Sequence, residues 1–206
     1  MPFRVVDHPL VAVLMTQLRD KSTEPAFFRP AAGKLAELVL VEATRGLATV
    51  PTQVETPLDT CEGARFARGL AVVPVLRAGL AMLEPALRLF SDVAVGYIGL
   101  ERSHTTAIAS SYYCNLPNLA DRDTLLVDPM LATGGSASQA VSLLKGKGAT
   151  RVVLACVVAA QDGVDRMARD HPDVEVVAAA LDPELNDQKY IVPGLGDFGD
   201  RLYGTL

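Results

Sequence analysis

The chain has 206 residues, half of them hydrophobic and a fifth charged, and its 19 basic against 24 acidic side chains leave a net charge of −5. That length holds one domain with a sizeable core, and 16 Gly plus 13 Pro fall well short of the roughly 25–30% that marks a low-complexity chain. The acidic balance excludes a protein that coats nucleic acid, which needs Lys and Arg in excess, while leaving room for a local basic pocket that takes a small phosphorylated ligand.

Leu10–Leu18 and Lys34–Leu47 carry apolar residues at mixed three- and four-residue spacing, the period of a helix. Thr49–Pro57 is richer in β-branched residues and proline, which predicts an edge strand or extended connection. From Leu70 onward short apolar runs follow at Leu70–Leu76, Val93–Leu100, Thr124–Val127, Val152–Ala160 and Val174–Leu181, with helix-like segments at Gly79–Phe90, Gly135–Lys147 and Gly163–Asp170. Apolar runs alternating with amphipathic helices predict a mainly parallel sheet covered on both faces. Ser111–Leu116, beside a polar stretch, predicts one strand of a projecting hairpin. The expected architecture is a single doubly wound α/β domain over 1–206, with an antiparallel flap hairpin at about 101–116 and an N-terminal helical cap.

The apolar run Pro9–Met15 is bracketed by Arg4 and Asp7 before it and by Arg19, Asp20 and Lys21 after it, with no small-residue cleavage site, so no secretory signal is expected. The longest strictly apolar run, Val152–Ala160, is about half of the ~20 residues needed to span a bilayer. Cys61, Cys114 and Cys156 are dispersed and form no CxxC pair, which fits neither a disulfide framework nor a zinc site. Cys156, inside an apolar run, reads as a small buried hydrophobe. A cytoplasmic location with no membrane partner is expected, and no side chain is assigned as a metal ligand.

In a doubly wound sheet ligands sit where strands end and helices begin. Three places carry chemistry. The first is Leu125–Lys147, where an apolar strand runs into Asp128 and a loop before the next helix. Thr133 and Ser136 supply hydroxyls, and Gly134 and Gly135 let backbone amides approach a ligand. The helix start adds unsatisfied N–H groups and the positive dipole end, which together make a site for a phosphate dianion. Asp128 suits the hydroxyls of a sugar attached to that phosphate. The same Gly-Gly-Ser also reads as a plain turn with a Ser N-cap, and its spacing is neither a Walker loop nor GxGxxG.

The second place is Pro74–Leu80, where Arg77 stands at a strand terminus beside a helix-opening Gly79. Its planar fork can clamp a polyphosphate or pair with a surface carboxylate. Arg102 follows the strand Val93–Leu100 and opens a polar run that reads as a mobile flap; His104 within it reads as a solvated loop residue. His8 and His171, beside prolines at helix ends, have no partner legible in the sequence. The third place is Asn186–Thr205, Gly-rich and irregular yet holding Tyr190, Phe198 and Tyr203. An ordered loop is expected there rather than a disordered tail. Its main-chain groups could read a planar ring with alternating C=O and N–H groups, or serve only structure.

Taken whole, the string VDPMLATGGS (Val127–Ser136) resembles the ribose-phosphate signature of the type I phosphoribosyltransferases, in the Asp-Pro form of their uracil branch. PVLRAGL (Pro74–Leu80) is similar to the diphosphate loop of that branch, and YIVPGLGDFGDRLYGT (Tyr190–Thr205) to its uracil-binding segment. Matches extend through His8-Pro9-Leu10, Glu42-Ala43-Thr44-Arg45 and Glu55-Thr56-Pro57-Leu58, over nearly the whole chain. The resemblance implies transfer of phosphoribosyl from 5-phosphoribosyl-1-diphosphate to uracil, giving UMP. It places the ribosyl diphosphate against Arg77, Arg102, Asp128, Pro129, Met130, Leu131, Ala132, Thr133, Gly134, Gly135, Ser136 and Asp197. Arg77, Arg102 and Asp128 are the catalytic residues it implies, and Ile191, Gly196, Asp197 and Phe198 the uracil contacts. It also implies a non-proline cis peptide in the Arg77 loop, Mg²⁺ with the diphosphate, GTP as an activator, and a homodimer or higher homo-oligomer.

The chain departs from the family pattern at Glu101 and Ser103, where an aromatic residue and an acidic or amide residue usually flank the Arg, and at Phe198, commonly Ala. Three other readings stand beside the resemblance. One is an RNA-binding nucleotide sensor of the same fold, which the single acid of Asp128-Pro129 and the negative net charge oppose. Another is the same chemistry on a different base, which Phe198 keeps open. A non-catalytic relative is opposed by the intact Asp128, Thr133, Ser136, Arg77 and Asp197.

Overall fold

The computed structural model of the protein describes the backbone of residues 1–102 and 109–205 and the side chains among them outside 101–111. In chain order the elements are β1 (Phe3–Val5), α1 (Pro9–Arg19), α2 (Pro25–Ala43), β2 (Thr49–Glu55), β3 (Thr60–Phe66), β4 (Gly69–Leu76), α3 (Leu80–Leu89), β5 (Val93–Val95), β6 (Tyr97–Arg102) and β7 (Ala109–Asn115). There follow β8 (Arg122–Val127), β9 (Met130–Leu131), α4 (Gly135–Gly146), β10 (Val152–Ala160), α5 (Gln161–Asp170), β11 (Glu175–Asp182), β12 (Glu184–Leu185), β13 (Ile191–Val192) and α6 (Phe198–Tyr203). The main sheet runs β1-β11-β10-β8-β4-β6-β7 and is parallel except for β7, which returns antiparallel to β6.

Side-chain alternation along the strands divides the core in two. Leu70 and Val72 of β4, Leu125 and Val127 of β8, and Val153, Ala155 and Val157 of β10 face α1, α2, α3 and α6. Their neighbours Ala71, Val73, Leu126, Leu154 and Cys156 face α4 and α5. This is the two-sided burial that a continuous apolar run predicts, and the expected doubly wound sheet is present with its antiparallel hairpin β6–β7.

The boundaries differ from the sequence reading in four places. The second helix begins at Pro25 rather than Lys34. Pro30 lies inside this helix on its exposed face, where water can satisfy the carbonyl its missing N–H would have bonded. Phe28, Ala31, Ala32, Leu35, Ala36, Val39, Leu40 and Ala43 meanwhile keep the buried face continuous. Within the predicted Thr49–Pro57 segment, Thr49–Glu55 pairs with Thr60–Phe66 in a separate two-stranded ribbon that the sequence reading lacked. Val93–Leu100 breaks at Gly96 into β5 and β6, both against β4. The C-terminal segment closes with the helix α6.

Phe198 opens α6 and is buried, its ring meeting Phe28 of α2 edge-on with centroids 5.2 Å apart. The side chain is thus spent on docking α6 to α2. Phe198→Ala is expected to cost about 3 kcal/mol of folding stability through the cavity it leaves and the lost aromatic pair. A fall in the urea midpoint at unchanged slope checks this, and an unshifted midpoint would move the ring out of the core.

Candidate active site

The site begins with strand register. From β4 the chain goes through α3 to β6 on one side, and from β8 it goes through α4 to β10 on the other. The two connections diverge and leave a crevice at the C-terminal ends of β4 and β8, the place where such sheets bind ligands. Pro74 pairs with Val127, so the loop carrying Arg77 and the loop headed by Asp128 leave the sheet side by side. The Leu76–Arg77 peptide bond is cis, as the resemblance implies. A Cβ on Gly79 would fall 2.6 Å from the carbonyl oxygens of both Val127 and Val75, so only glycine lets the two loops touch backbone to backbone. Arg77 is exposed on this lip and makes no ion pair among the described residues.

Beyond Asp128 the loop is pinned to β10 by Pro129, whose carbonyl accepts from Val157 and Val158 N–H at 2.9 and 3.0 Å. Gly134, at φ 73°, turns the chain into α4. The residues from Asp128 through Ala137, apart from Pro129, line a small cavity of about 80 Å³ at the start of that helix. Asp128 accepts from Met130 N–H at 3.4 Å. Its charge, after burial itself, pushes the Cys156 thiol pKa up, so this cysteine stays protonated as a core residue.

A second cavity of about 290 Å³ is lined by Met130, Ala132, Gln188, Lys189, Tyr190, Ile191, Gly196, Asp197 and Phe198. It shares Met130 and Ala132 with the first, so the two cavities adjoin. Its rim is held by a tight loop in which Asn186 Oδ1 accepts from Gln188 and Tyr190 N–H at 3.0 and 2.9 Å. Lys189 between them sits at φ 66°, a conformation uncommon outside glycine. Asp197 N-caps α6 by accepting from Asp200 N–H at 2.9 Å. Among the described residues no group of three or more His, Cys, Asp or Glu could hold a metal, and no helix is long and apolar enough to cross a membrane.

The structure therefore brings Asp128 and Met130–Ser136 around the smaller cavity and Ile191, Gly196, Asp197 and Phe198 around the larger, with Arg77 on the loop beside that of Asp128. Arg102 ends β6; its side chain, Ser103 and His104 lie outside the described residues. The sequence reading missed the residues that hold the C-terminal segment in place. Asp182, buried at the end of β11, binds Arg19 through both oxygens at 2.6 and 2.9 Å and accepts from Gly194 N–H at 2.9 Å. Arg19 also donates to Gly194 O at 2.8 Å. Arg201 donates to the carbonyls of Leu18, Leu195 and Asp20 and lies 4.6 Å over the Phe28 ring. The only sequence signal for these is charge within otherwise apolar or Gly-rich surroundings. His8, without a legible partner in the sequence, caps α1 through Nδ1, which accepts from Leu10 N–H at 3.0 Å. His171 is likewise partnered, its Nε2 2.8 Å from the Ser138 carbonyl oxygen, which ties α5 to α4.

The fold is that of the phosphoribosyltransferases. The purine phosphoribosyltransferase of Pyrococcus horikoshii Ot3 shares it with a TM-score of 0.51 over 71% of this chain and 82% of its own, at 16% identity. The AQ2163 protein of Aquifex aeolicus superposes with a TM-score of 0.92 at 32% identity, covering 98% of this chain and 97% of that one. The uracil phosphoribosyltransferase profile matches residues 5–205, and the uracil phosphoribosyltransferase of Thermus thermophilus is 51% identical over the full length of both chains. The chain belongs to the uracil phosphoribosyltransferase family.

The Arg19–Asp182 pair generates a prediction that needs no substrate. Asp182→Asn keeps an acceptor for Gly194 N–H but removes the charge facing Arg19. It is expected to cost about 3 kcal/mol, the low end for a buried pair because Arg19 keeps part of its hydration. Amide exchange at Gly194 and Leu195 should speed up more than in β10; equal protection in variant and parent would show that the pair does not hold the segment.

Proposed function

We propose that the protein transfers the 5-phosphoribosyl group of 5-phosphoribosyl-1-diphosphate to uracil, giving UMP and diphosphate in pyrimidine salvage. The observation that supports this reading is that the small cavity at the start of α4 adjoins the larger cavity beside α6, Met130 and Ala132 lining both. A nucleotide is a phosphate and a flat ring joined by a sugar, and the adjoining cavities offer a place for each. The amides and hydroxyls of Thr133–Ser136 take the 5′-phosphate, with Pro129 to Ala132 forming the loop floor. Asp128 accepts from the ribose hydroxyls. Ile191, Gly196 and Phe198 hold uracil, largely through backbone groups, while Asp197 faces the sugar side.

Departure of diphosphate leaves positive charge on the sugar, so the rate comes from positioning and electrostatics rather than from a covalent nucleophile. Arg77 and Arg102 clamp the departing diphosphate, and the β6–β7 hairpin shields the reacting carbon from water. Phosphoribosyltransferases generally take this substrate with Mg²⁺. Asp128 and Asp197 would offer such a hard cation the oxygen donors it favours, and the ion would supply neutralisation of diphosphate charge. Activation by GTP, assembly into a homodimer or larger oligomer, and a cytoplasmic location belong to the same proposal and rest on kinship.

The test incubates the protein with Mg²⁺, 5-phosphoribosyl-1-diphosphate and each free base, with and without GTP. Nucleotide formation with uracil is expected, and turnover with another base in its place would overturn the assignment. Arg77→Ala is expected to lower kcat/KM by about 10²–10³, the scale of a lost transition-state clamp. Asp128→Asn should weaken the ribosyl diphosphate more than uracil; titration calorimetry giving the reverse order would remove Asp128 from the ribose site.

A further inference from the structure

The phosphate loop lacks a cation of its own. Thr133 to Ser136 carry no ionic side chain, the carboxylate at the head of the loop is an anion, and a phosphate monoester brings roughly −1.5 to −2 charges. Helix α5 supplies what the loop lacks. A Cβ on Gly163, in the first turn of α5, would fall 2.6 Å from Ala132 O and 2.8 Å from Leu131 O, so this helix starts directly against the loop. Further along the same helix, Arg166 lies over the first turn of α4. A Cβ built on Gly134 would lie 3.2 Å from Arg166 Cβ, and one on Gly135 would lie 3.3 Å from Arg166 Nη1 and 3.6 Å from Thr133 Oγ1.

The guanidinium is also held in orientation. Arg166 Nε donates to Asp170 Oδ2 at 3.2 Å, and the same oxygen accepts from Ser138 Oγ of α4 at 2.8 Å. The Ser138 hydroxyl, ahead of Arg166, holds the Asp170 carboxyl below the usual carboxylate range, so the anchor stays ionised. With Nε engaged, the two Nη groups donate to no acceptor among the described residues, and the side chain is 42% exposed. Such a half-buried fork beside a row of backbone amides is the arrangement that binds phosphate oxygens in charge-assisted hydrogen bonds.

We propose that Arg166 is a further substrate-binding residue, contacting the 5′-phosphate of the ribosyl substrate, and that Asp170 is its positioning residue. The proposal rests on the phosphoribosyl-transfer reading. The competing role for Arg166 is a strap that only joins α5 to α4.

The test is calorimetric titration of the full chain with two fragments of the substrate, ribose 5-phosphate and inorganic diphosphate, for the parent, Arg166→Gln and Arg166→Lys. Arg166→Gln is expected to weaken ribose 5-phosphate about tenfold, the order set by one charge-assisted bond at a half-exposed site. Arg166→Lys should recover part of that loss, and diphosphate affinity should stay within about twofold in both variants. In turnover, the KM for 5-phosphoribosyl-1-diphosphate should rise in Arg166→Gln while the KM for uracil does not. Unchanged ribose 5-phosphate affinity, or equal losses for both fragments, would overturn the proposal in favour of the strap. A folded parent that binds neither fragment would overturn the phosphoribosyl-transfer reading and take this proposal with it.

Discussion

Parallel pairing of β4 with β8 places two loops at one edge of the sheet, and the divergence of their onward connections keeps that edge open. The loops that carry Arg77 and Asp128 both hang on this arrangement. Arg77 and Asp128 come from positions 51 residues apart and meet because Pro74 lies opposite Val127. A shift of one residue along either strand would exchange the two faces of the sheet and move α3 and α4 off their cores. The register is therefore fixed by the packing of Leu70, Val72, Leu125 and Val127 on one face and Ala71, Val73 and Leu126 on the other. Positioning at the site is a by-product of burying these side chains.

An acidic chain that binds a polyanion has to concentrate its cations locally, because exposed charges further away than a Debye length of about 8–10 Å contribute little at physiological salt. The crevice does this with few residues. Arg77 lies on the loop that leaves β4 beside Asp128, Arg166 lies over the first turn of α4, and the N-terminal amides of α4 add their dipoles. Asp128 lines the smaller cavity and Asp197 the larger, so each cavity also carries a carboxylate that can accept from hydroxyl groups. Neutral Cys156 beneath Asp128 adds no charge of its own.

Much of this was legible in the chain itself, for identifiable reasons. The parallel strands were visible because two-sided burial makes them continuous apolar runs, and the phosphate loop because Thr, Gly and Ser cluster where a strand gives way to a helix. The start of α2 was not legible because its first nine residues, Pro25–Gly33, carry two prolines and a glycine and so break up the helical apolar spacing, while Phe28, Ala31 and Ala32 are buried only in the fold. The ribbon β2–β3 was hidden for a different reason: β3, Thr60–Phe66, is exposed at most positions and so carries no apolar signature. Arg166, Asp182 and Arg201 were illegible as functional residues because each acts through contacts made across the fold, and a charged residue near a helix end looks the same whether it faces solvent or a ligand.

The two cavities differ in how they are assembled. The phosphate loop is local: its strand, loop and helix run consecutively from Arg122 to Gly146, and α5 follows within about one further strand. The larger cavity is built from both ends of the chain, through Arg19 to Asp182 and Arg201 to the Leu18 carbonyl, contacts that span 163 and 183 residues. Closing such loops costs more chain entropy than closing short ones, and elements secured by a few long-range contacts open at lower free energy than a core sheet. The Phe28–Phe198 contact and the Arg201 stack on Phe28 offset part of that cost by burying aromatic surface where α2 meets α6. Phe198 therefore links the wall of the larger cavity to the stability of the helical layer, which gives a physical reason for a large aromatic residue at this position.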